Sequence, residues 1–379
     1  MKQQTIKIGG KTIGKGLPVF IIAEAGVNHN GRMALAKKLI DAAVEAGADA
    51  VKFQTFDPDT LVTRDAKKAD YQVRNETNPS TSLPALREQA GQTRVRPLKK
   101  GESETEESQY AMLKRLQLPR EVHAELKAYA EQKGIMFLST PFSLSDAEFL
   151  KELGVVAFKV GSSDTDNLPF LKTIATWGLP IILSTGMSDL ALVRKSVEAI
   201  RKAGNQKLVV LHCTTSYPAP LAEVNVRAMQ TLGEELDVLV GFSDHTEGTL
   251  APVLSVALGA TVIEKHLTLD KEMIGPDHKA SLNPEEFAEM VHAVREAESA
   301  LGTGEKNLFA SEREIAKVAR KSLVVAHAVK KGEVFTAKNL TTKRPGTGLS
   351  PAKYDSVLGT VASRDIPADT VLTGDDYGA

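Results

Sequence analysis

PVFIIAEAG occupies residues 18–26, MALAKKLIDAAVEAGA residues 33–48 and DAVKFQTF residues 49–56. The first and third runs are apolar and β-branched over strand length, the pattern of strands buried on both faces. The middle run repeats apolar residues at helical spacing and closes on Gly47, a residue suited to a helix end. Strand, helix, strand in this order is a parallel crossover unit. The order returns at IMFLST (135–140), VVAFKVGS (155–162), PIILSTGM (180–187), LVVLHCTT (208–215), VLVGFSDH (238–245) and TVIEKHL (261–267). Helical patterns such as DLALVRKSVEAIRKAG (189–204) and NPEEFAEMVHAVREAESALG (283–302) lie between them. Eight such units in roughly 300 residues are the arithmetic of an α/β protein with a (β/α)8 barrel. A doubly wound open sheet is the alternative.

Outward from these strands the pattern breaks twice. Residues 57–108 form a long connection after the second strand, with an inserted loop at 76–102 that carries Arg87, Arg94, Arg96, Lys99 and Lys100. Long connections in compact domains are functional or disordered, so this one reads either as a mobile surface loop or as a lid over the barrel's active face. The second break follows the barrel domain, residues 1–302. Residues 303–321 read as a polar linker, and 322–379 as a small domain with short β-like pieces. Its two halves resemble each other: VVAHAVKKGEVFTAKNL (324–340) matches VASRDIPADTVLTGDDY (361–377) at an offset of 37, with Val329 on Ile366, Val334 on Val371 and Phe335 on Leu372. A unit of about 58 residues is marginal alone and gains from docking on a partner surface.

The chain has 379 residues, 42% apolar and 25% charged, which is ordinary globular usage and excludes a disordered or fibrous protein. Lys and Arg number 47 against 48 Asp and Glu, a net charge of −1. That gives no global electrostatic case for nucleic acid or an acidic membrane. Cys213 has no second cysteine to pair with, which fits a reducing cytoplasm. The opening MKQQTIKIGGKTIGKG lacks the apolar core of a signal peptide, and no run approaches the ~18 apolar residues of a membrane span. A cytoplasmic protein of small-molecule substrates is expected.

Barrel enzymes place their chemistry at the C-terminal ends of the strands. Polar residues stand there in nearly every strand: Glu24, Lys52, Gln54, Thr140, Lys159, Ser162, His212, Thr215, Tyr217, Ser243, Asp244, His245, Glu264 and His266. Residues i and i+2 of a strand share a face. Lys52 therefore points with Gln54, Ser243 with His245, and Glu264 with His266. Two histidines on adjacent strands either hold a metal such as Mn, Fe, Co or Zn, which would polarise a carbonyl, or are hydrogen-bonded interior residues. Lysines buried at strand ends need an anion nearby. Lys52 and Lys159 with Thr140, Ser162 and Ser243 form a phosphate or carboxylate cradle, or else pair with Glu24 or Asp164. His29 and His212 read as structural.

These residues stand in the runs AEAGVNHNG, VKFQTF, LSTPFS, FKVGSSD, STGMS, HCTTSYP, GFSDHT, IEKHLTLD and GPDHKASL, in this order. The set resembles the bacterial sialic acid synthase family, comprising N-acetylneuraminate synthase and its legionaminate and pseudaminate relatives. KRPGTGLSP resembles the antifreeze-protein-like SAF domain of those enzymes. The resemblance covers the chain apart from 76–102. It implies a TIM barrel followed by a small, mostly β SAF domain. It also implies a nonulosonate synthase, which joins phosphoenolpyruvate to the open-chain aldehyde of an N-acylated hexosamine and releases phosphate and a nine-carbon 2-keto acid.

N-acetylmannosamine is the favoured acceptor, giving N-acetylneuraminate. A 2,4-diacetamido-trideoxyhexose, giving legionaminate or pseudaminate, is the alternative. By the same resemblance, His245 and His266 hold a divalent metal, Mn2+ ahead of Mg2+ or Co2+. Lys52, Thr140, Lys159, Ser162, Thr215, Tyr217 and Ser243 hold phosphoenolpyruvate. Glu24 and Glu264 are the catalytic carboxylates, and Gln54, Asp164, Asp277 and Arg344 contact the sugar. In the family the small domain of one subunit covers the barrel mouth of the other, which implies a domain-swapped homodimer with Arg344 reaching across. Two positions depart from the pattern: GSSD stands where N-acetylmannosamine-specific members often read GSGE, and Thr215 where Asn is common. Two rivals remain: a Schiff-base aldolase working through Lys159, and a binding protein whose small domain recognises ice or a carbohydrate surface.

Overall fold

The chain enters through a hairpin that its polar first residues do not suggest, β1 (Thr5–Ile8) and β2 (Lys11–Gly14), turning at Gly9 with φ of 54°. This computed structural model describes residues 5–76 and 107–378. Apart from its first residue, the expected 76–102 insertion lies outside the described residues.

The eight apolar runs are eight parallel strands: β3 (Phe20–Gly26), β4 (Ala50–Thr55), β5 (Met136–Pro141), β6 (Phe158–Val160), β7 (Ile181–Ser184), β8 (Leu208–Cys213), β9 (Leu239–Asp244) and β10 (Val262–His266). Their order is β5-β4-β3-β10-β9-β8-β7-β6. The first barrel strand pairs with the last, from Val262 on Phe20 to His266 on Glu24, which an open doubly wound sheet would not do. β5 and β6 lie side by side, with no ladder between them among the described residues.

Alternation sorts the strand residues onto two faces. Ile21, Ala23, Val51, Phe53, Phe137 and Val160 point outward, under helices such as Met33–Glu45 and Pro284–Leu301. Phe20, Ile22, Ala50, Leu138, Ala157, Ile182, Val209, Leu211, Leu239 and Val262 point inward and fill the lower barrel. Ile6, Ile8 and Ile13 of the hairpin join this cluster and close that end; each buried isoleucine contributes roughly 1.5–3 kcal/mol. The hairpin is tied down by Asp49, which accepts the Ile21 N–H at 2.7 Å and pairs with Lys11 and Arg295. Gly241 lets three strands converge, because a Cβ there would meet the Val262 carbonyl and Leu211.

The chain divides into two compact units, Met1–Gly302 and Thr303–Ala379. The stretch 303–321, read as a linker, belongs to the second unit and carries a ten-residue helix, Ala310–Ala319. Alternating charges masked its helical period. Four short strands follow: β11 (Ser322–Val325), β12 (Leu340–Lys343), β13 (Val361–Ala362) and β14 (Tyr377–Gly378). The repeat has a structural meaning. Val329 and Ile366, equivalent positions of the two halves, bond each other reciprocally, N–H to carbonyl at 2.9 and 2.8 Å. The bridges Val324–Val371 and Val334–Val361 exchange under the same offset of 37. The halves therefore pair about an internal pseudo-two-fold, burying Leu323, Val325, Phe335, Val357 and Leu372 between them.

Candidate active site

Each inward face changes character along its strand. Ile22 leads to Glu24, Ala50 to Lys52 and Gln54, Leu138 to Thr140, and Ala157 to Lys159. Ile182 leads to Ser184, Leu211 to Cys213, Leu239 to Ser243 and His245, and Val262 to Glu264 and His266. Two-residue periodicity thus stacks a polar ring on the apolar plug. The ring lines a cavity of about 410 Å³ at the C-terminal ends of the strands.

At the floor, two lysines interlock with two glutamates. Lys52 Nζ lies 2.5 Å from Glu24 Oε2 and 3.8 Å from Glu264 Oε2, and donates to Thr140 Oγ1 at 2.9 Å. Lys159 Nζ lies 3.3 Å from Glu264 Oε1, donates to Ser184 Oγ at 2.7 Å, and reaches the Val160 carbonyl at 3.3 Å. Ser243 Oγ donates to Glu264 Oε1 at 3.0 Å, and Gln54 Nε2 to Glu24 Oε1 at 3.1 Å. The two readings of the lysines meet here: both line the cavity, and both pair with carboxylates, Glu24 and Glu264 but not Asp164.

Burial and the nearby Glu264 charge push Glu24 upward, against the pull of Lys52. Burial would raise Glu264 too, but Lys159, Lys52 and the Ser243 hydroxyl outweigh it and hold that carboxyl low. Lys52 is held above the ordinary lysine range because its two carboxylates outweigh burial. Burial lowers Lys159, with Glu264 opposing.

Above the floor, the His245 and His266 rings lie 5.3 Å apart between centroids. His245 Nδ1 bonds the Thr214 carbonyl at 2.8 Å. Burial and the neighbouring His245 push His266 far below the ordinary range, so its imidazole is neutral. Its Nδ1 is buried without a hydrogen bond, 4.0 Å from Asp277 Oδ2. Burial and Glu24 lift Asp277 to about 7. Paired imidazoles, one oriented by a carbonyl and the other with an orphaned nitrogen, fit a divalent transition metal. Among the described residues no group of three or more His, Cys, Asp or Glu is placed to hold a metal ion. Tyr217 packs on His245 at 4.2 Å between centroids and meets His266 edge-on, and Tyr71 stacks on Tyr217 at 4.9 Å.

Gln54, Thr140, Ser162, Thr215, Tyr217, Ser243 and Asp277 all line the cavity with the lysines, glutamates and histidines. Asp164 does not: its carboxylate accepts from Asn167 Nδ2 at 2.9 Å and Ser163 Oγ at 3.2 Å, next to the helix that Asn167 caps, and Ser163 faces the cavity instead. Arg344 belongs to the second unit and is exposed there. His29 accepts from the Gly31 N–H and His212 bonds the Val224 carbonyl, both outside the lining. Sequence reasoning missed Ser184, Cys213 and Tyr71. It also missed a wall of Phe56, Leu61, Met112, Leu113, Leu116 and Phe142, which pack together as one apolar cluster. Much of that wall comes from helix Gln109–Leu116, which follows the long connection.

A barrel that gathers cationic, carboxylate and imidazole groups at its strand ends has the make-up of an enzyme site for a small anionic substrate. The chain matches the NeuB family over residues 39–95 and 88–306, and a SAF domain over 320–377. It is 44% identical to the N,N'-diacetyllegionaminic acid synthase of Campylobacter jejuni, over 93% of this chain and 98% of that one. It is 43% identical to the enzyme of that name from Legionella pneumophila, over 97% of each. Its fold is similar to a crystal structure of N-acetylneuraminic acid (sialic acid) synthetase from Leptospira borgpetersenii, with a TM-score of 0.67 and 32% identity over 83% of this chain and 95% of that one. The chain belongs to the NeuB family. It is a phosphoenolpyruvate-condensing transferase of the sialic, legionaminic and pseudaminic acid synthase type.

Proposed function

We propose that this chain condenses phosphoenolpyruvate with a 2,4-diacetamido-trideoxyhexose, giving a legionaminate-type 2-keto acid and phosphate. This acceptor replaces N-acetylmannosamine as the favoured one. The carrying observation is the cavity's two-sided lining. A charged floor suits phosphoenolpyruvate, while the wall of Phe56, Leu61, Met112, Leu113 and Phe142 suits acetamido methyls and a deoxygenated C6. The two relatives above, named as N,N'-diacetyllegionaminic acid synthases, support the same reading.

Lys52 and Lys159, with Thr140, Ser162, Thr215, Tyr217 and Ser243, hold the phosphate and carboxylate of phosphoenolpyruvate. Gln54 and Asp277 face the acceptor. The C3 carbon of the enol forms a bond to the aldehyde carbon, and the aldehyde oxygen takes up a proton from solvent. Water adds at C2 and gives a proton to Glu24, which returns it to solvent. The C2–O bond to phosphate then breaks as the C2 hydroxyl becomes a ketone and passes its proton to the leaving phosphate, so one water is consumed and one phosphate leaves. Glu264 stays ionised and holds Lys159 and Ser243 in place. Bound at His245 and His266, a divalent cation (Mn2+, with Mg2+ or Co2+ as alternatives) would act as a Lewis acid toward the aldehyde oxygen.

A domain-swapped homodimer completes the proposal, with Arg344 of one copy reaching the acceptor of the other. Its support is the exposed Arg344 and the exposed apolar residues of the second unit: Phe309 at 63%, Ile315 at 66% and Val318 at 69%. The acceptor is tested by comparing kcat/KM for the diacetamido sugar and N-acetylmannosamine. A preference for the diacetamido sugar of roughly 10–200-fold is expected, the range that one or two misfitted small groups produce. Equal values, or the reverse order, overturn this choice.

A further inference from the structure

Behind the two cavity histidines, on the opposite face of the same strands, lies a second set of contacts. Lys265 and Asp244 are register partners on β10 and β9, each one residue from a histidine. Both side chains are wholly enclosed, with Nζ 2.5 Å from Asp244 Oδ2. The same ammonium donates to the Thr246 carbonyl at 2.5 Å. Asp244 in turn accepts the Thr246 N–H and hydroxyl, each at 3.0 Å. His245 thus sits between two residues that are both bound to the residue preceding His266.

The backbone alone does not set this spacing. The β9–β10 ladder ends at the Asp244–Lys265 pair, and His245 lies beyond it. Toward β8 the histidine is held by the Thr214 carbonyl and by its own carbonyl bond to the Ala219 N–H. Toward β10 its two neighbours are held by Lys265. A wholly buried ion pair is a weak source of stability, because desolvation offsets the attraction, and its best-attested use is to fix register.

We propose that Lys265 is a positioning residue, pinning the Asp244–Thr246 turn to the end of β10 and so setting His245 against His266 at the spacing a divalent cation needs. The inference rests on the metal reading above. Mn2+ binding to the full-length protein tests it, followed by the magnetic resonance signal of the free ion, with phosphoenolpyruvate affinity and thermal unfolding in chelator measured alongside. The double variant Asp244→Asn/Lys265→Met leaves no buried charge unpaired. It is expected to fold, to bind Mn2+ about 10–100-fold more weakly, as losses behind metal ligands do, and to keep its phosphoenolpyruvate affinity. Lys265→Arg keeps the charge but cannot seat a single ammonium between Asp244 and Thr246. It is expected to weaken Mn2+ binding several-fold, and it decides the matter if the double variant fails to fold. Unchanged Mn2+ affinity in a folded variant, or equal loss for Mn2+ and phosphoenolpyruvate, overturns the inference alone. A wild-type protein that binds no Mn2+ overturns the metal reading and this inference together.

Discussion

Glu24 and Glu264 are one side-chain type in one cavity, and their neighbours drive them apart: Glu24 upward through burial and the second carboxylate, Glu264 downward through two ammonium groups and a hydroxyl. Divergent environments of this kind separate a proton carrier from a fixed charge. Glu24→Gln keeps the shape of the side chain and an acceptor for Lys52 but cannot take a proton, so it should leave the KM for phosphoenolpyruvate nearly unchanged. It should lower kcat about 10²–10⁴-fold, the usual share of general acid–base catalysis. Steady-state kinetics check this, and a rise in KM at full kcat would contradict it. The lysine, glutamate and histidine positions were legible because charged residues in an otherwise apolar strand are anomalous, and the two-residue period tells which share a face. Ser184 and Cys213 occupy the same ring, but a serine or cysteine in a buried strand is unremarkable, so nothing singled them out. Asp164 was legible as a motif position, yet its carboxylate is taken up by Asn167 and Ser163.

At the scale of elements, the eight barrel strands were readable because burial on both faces demands continuous apolar runs. The hairpin was not. Its residues alternate, and its buried side chains are three isoleucines, Ile6, Ile8 and Ile13, which in TIKIGGKTIG is too short a signal to separate from a polar leader. In the small domain, Asp376 anchors the second half. It accepts the Thr373 N–H at 2.7 Å and hydroxyl at 2.9 Å, and Arg364 Nε at 2.8 Å. Burial would raise its carboxyl, but these donors outweigh it and hold it below 3.8. A depressed carboxyl contributes stability that is fully present above its unfolded value and lost as pH falls through the folded one. Asp376→Asn should thus destabilise this unit by about 1–3 kcal/mol at neutral pH, and the gap to wild type should narrow as the pH falls below the ordinary aspartate range. Urea unfolding across that range reads the effect, and a gap independent of pH would contradict it.

The whole molecule comprises a barrel with a polar cavity at its strand ends and a small domain whose two halves pair about an internal axis. If a second copy supplies Arg344, Arg344→Ala should raise the acceptor KM about tenfold, the worth of one charge-assisted hydrogen bond, with little change for phosphoenolpyruvate. The opposite order in KM would count against the capping arrangement. The central claim is that the Lys52–Glu24–Lys159–Glu264 floor and the histidine pair above it condense phosphoenolpyruvate with an amino-sugar aldehyde. Its most direct test is phosphate release by the full-length protein with Mn2+, phosphoenolpyruvate and the 2,4-diacetamido-trideoxyhexose, with the product weighed by mass spectrometry. One phosphate per nine-carbon 2-keto acid is expected, with none released without acceptor and none in chelator. Phosphate released without acceptor, or turnover that survives chelation, would contradict it.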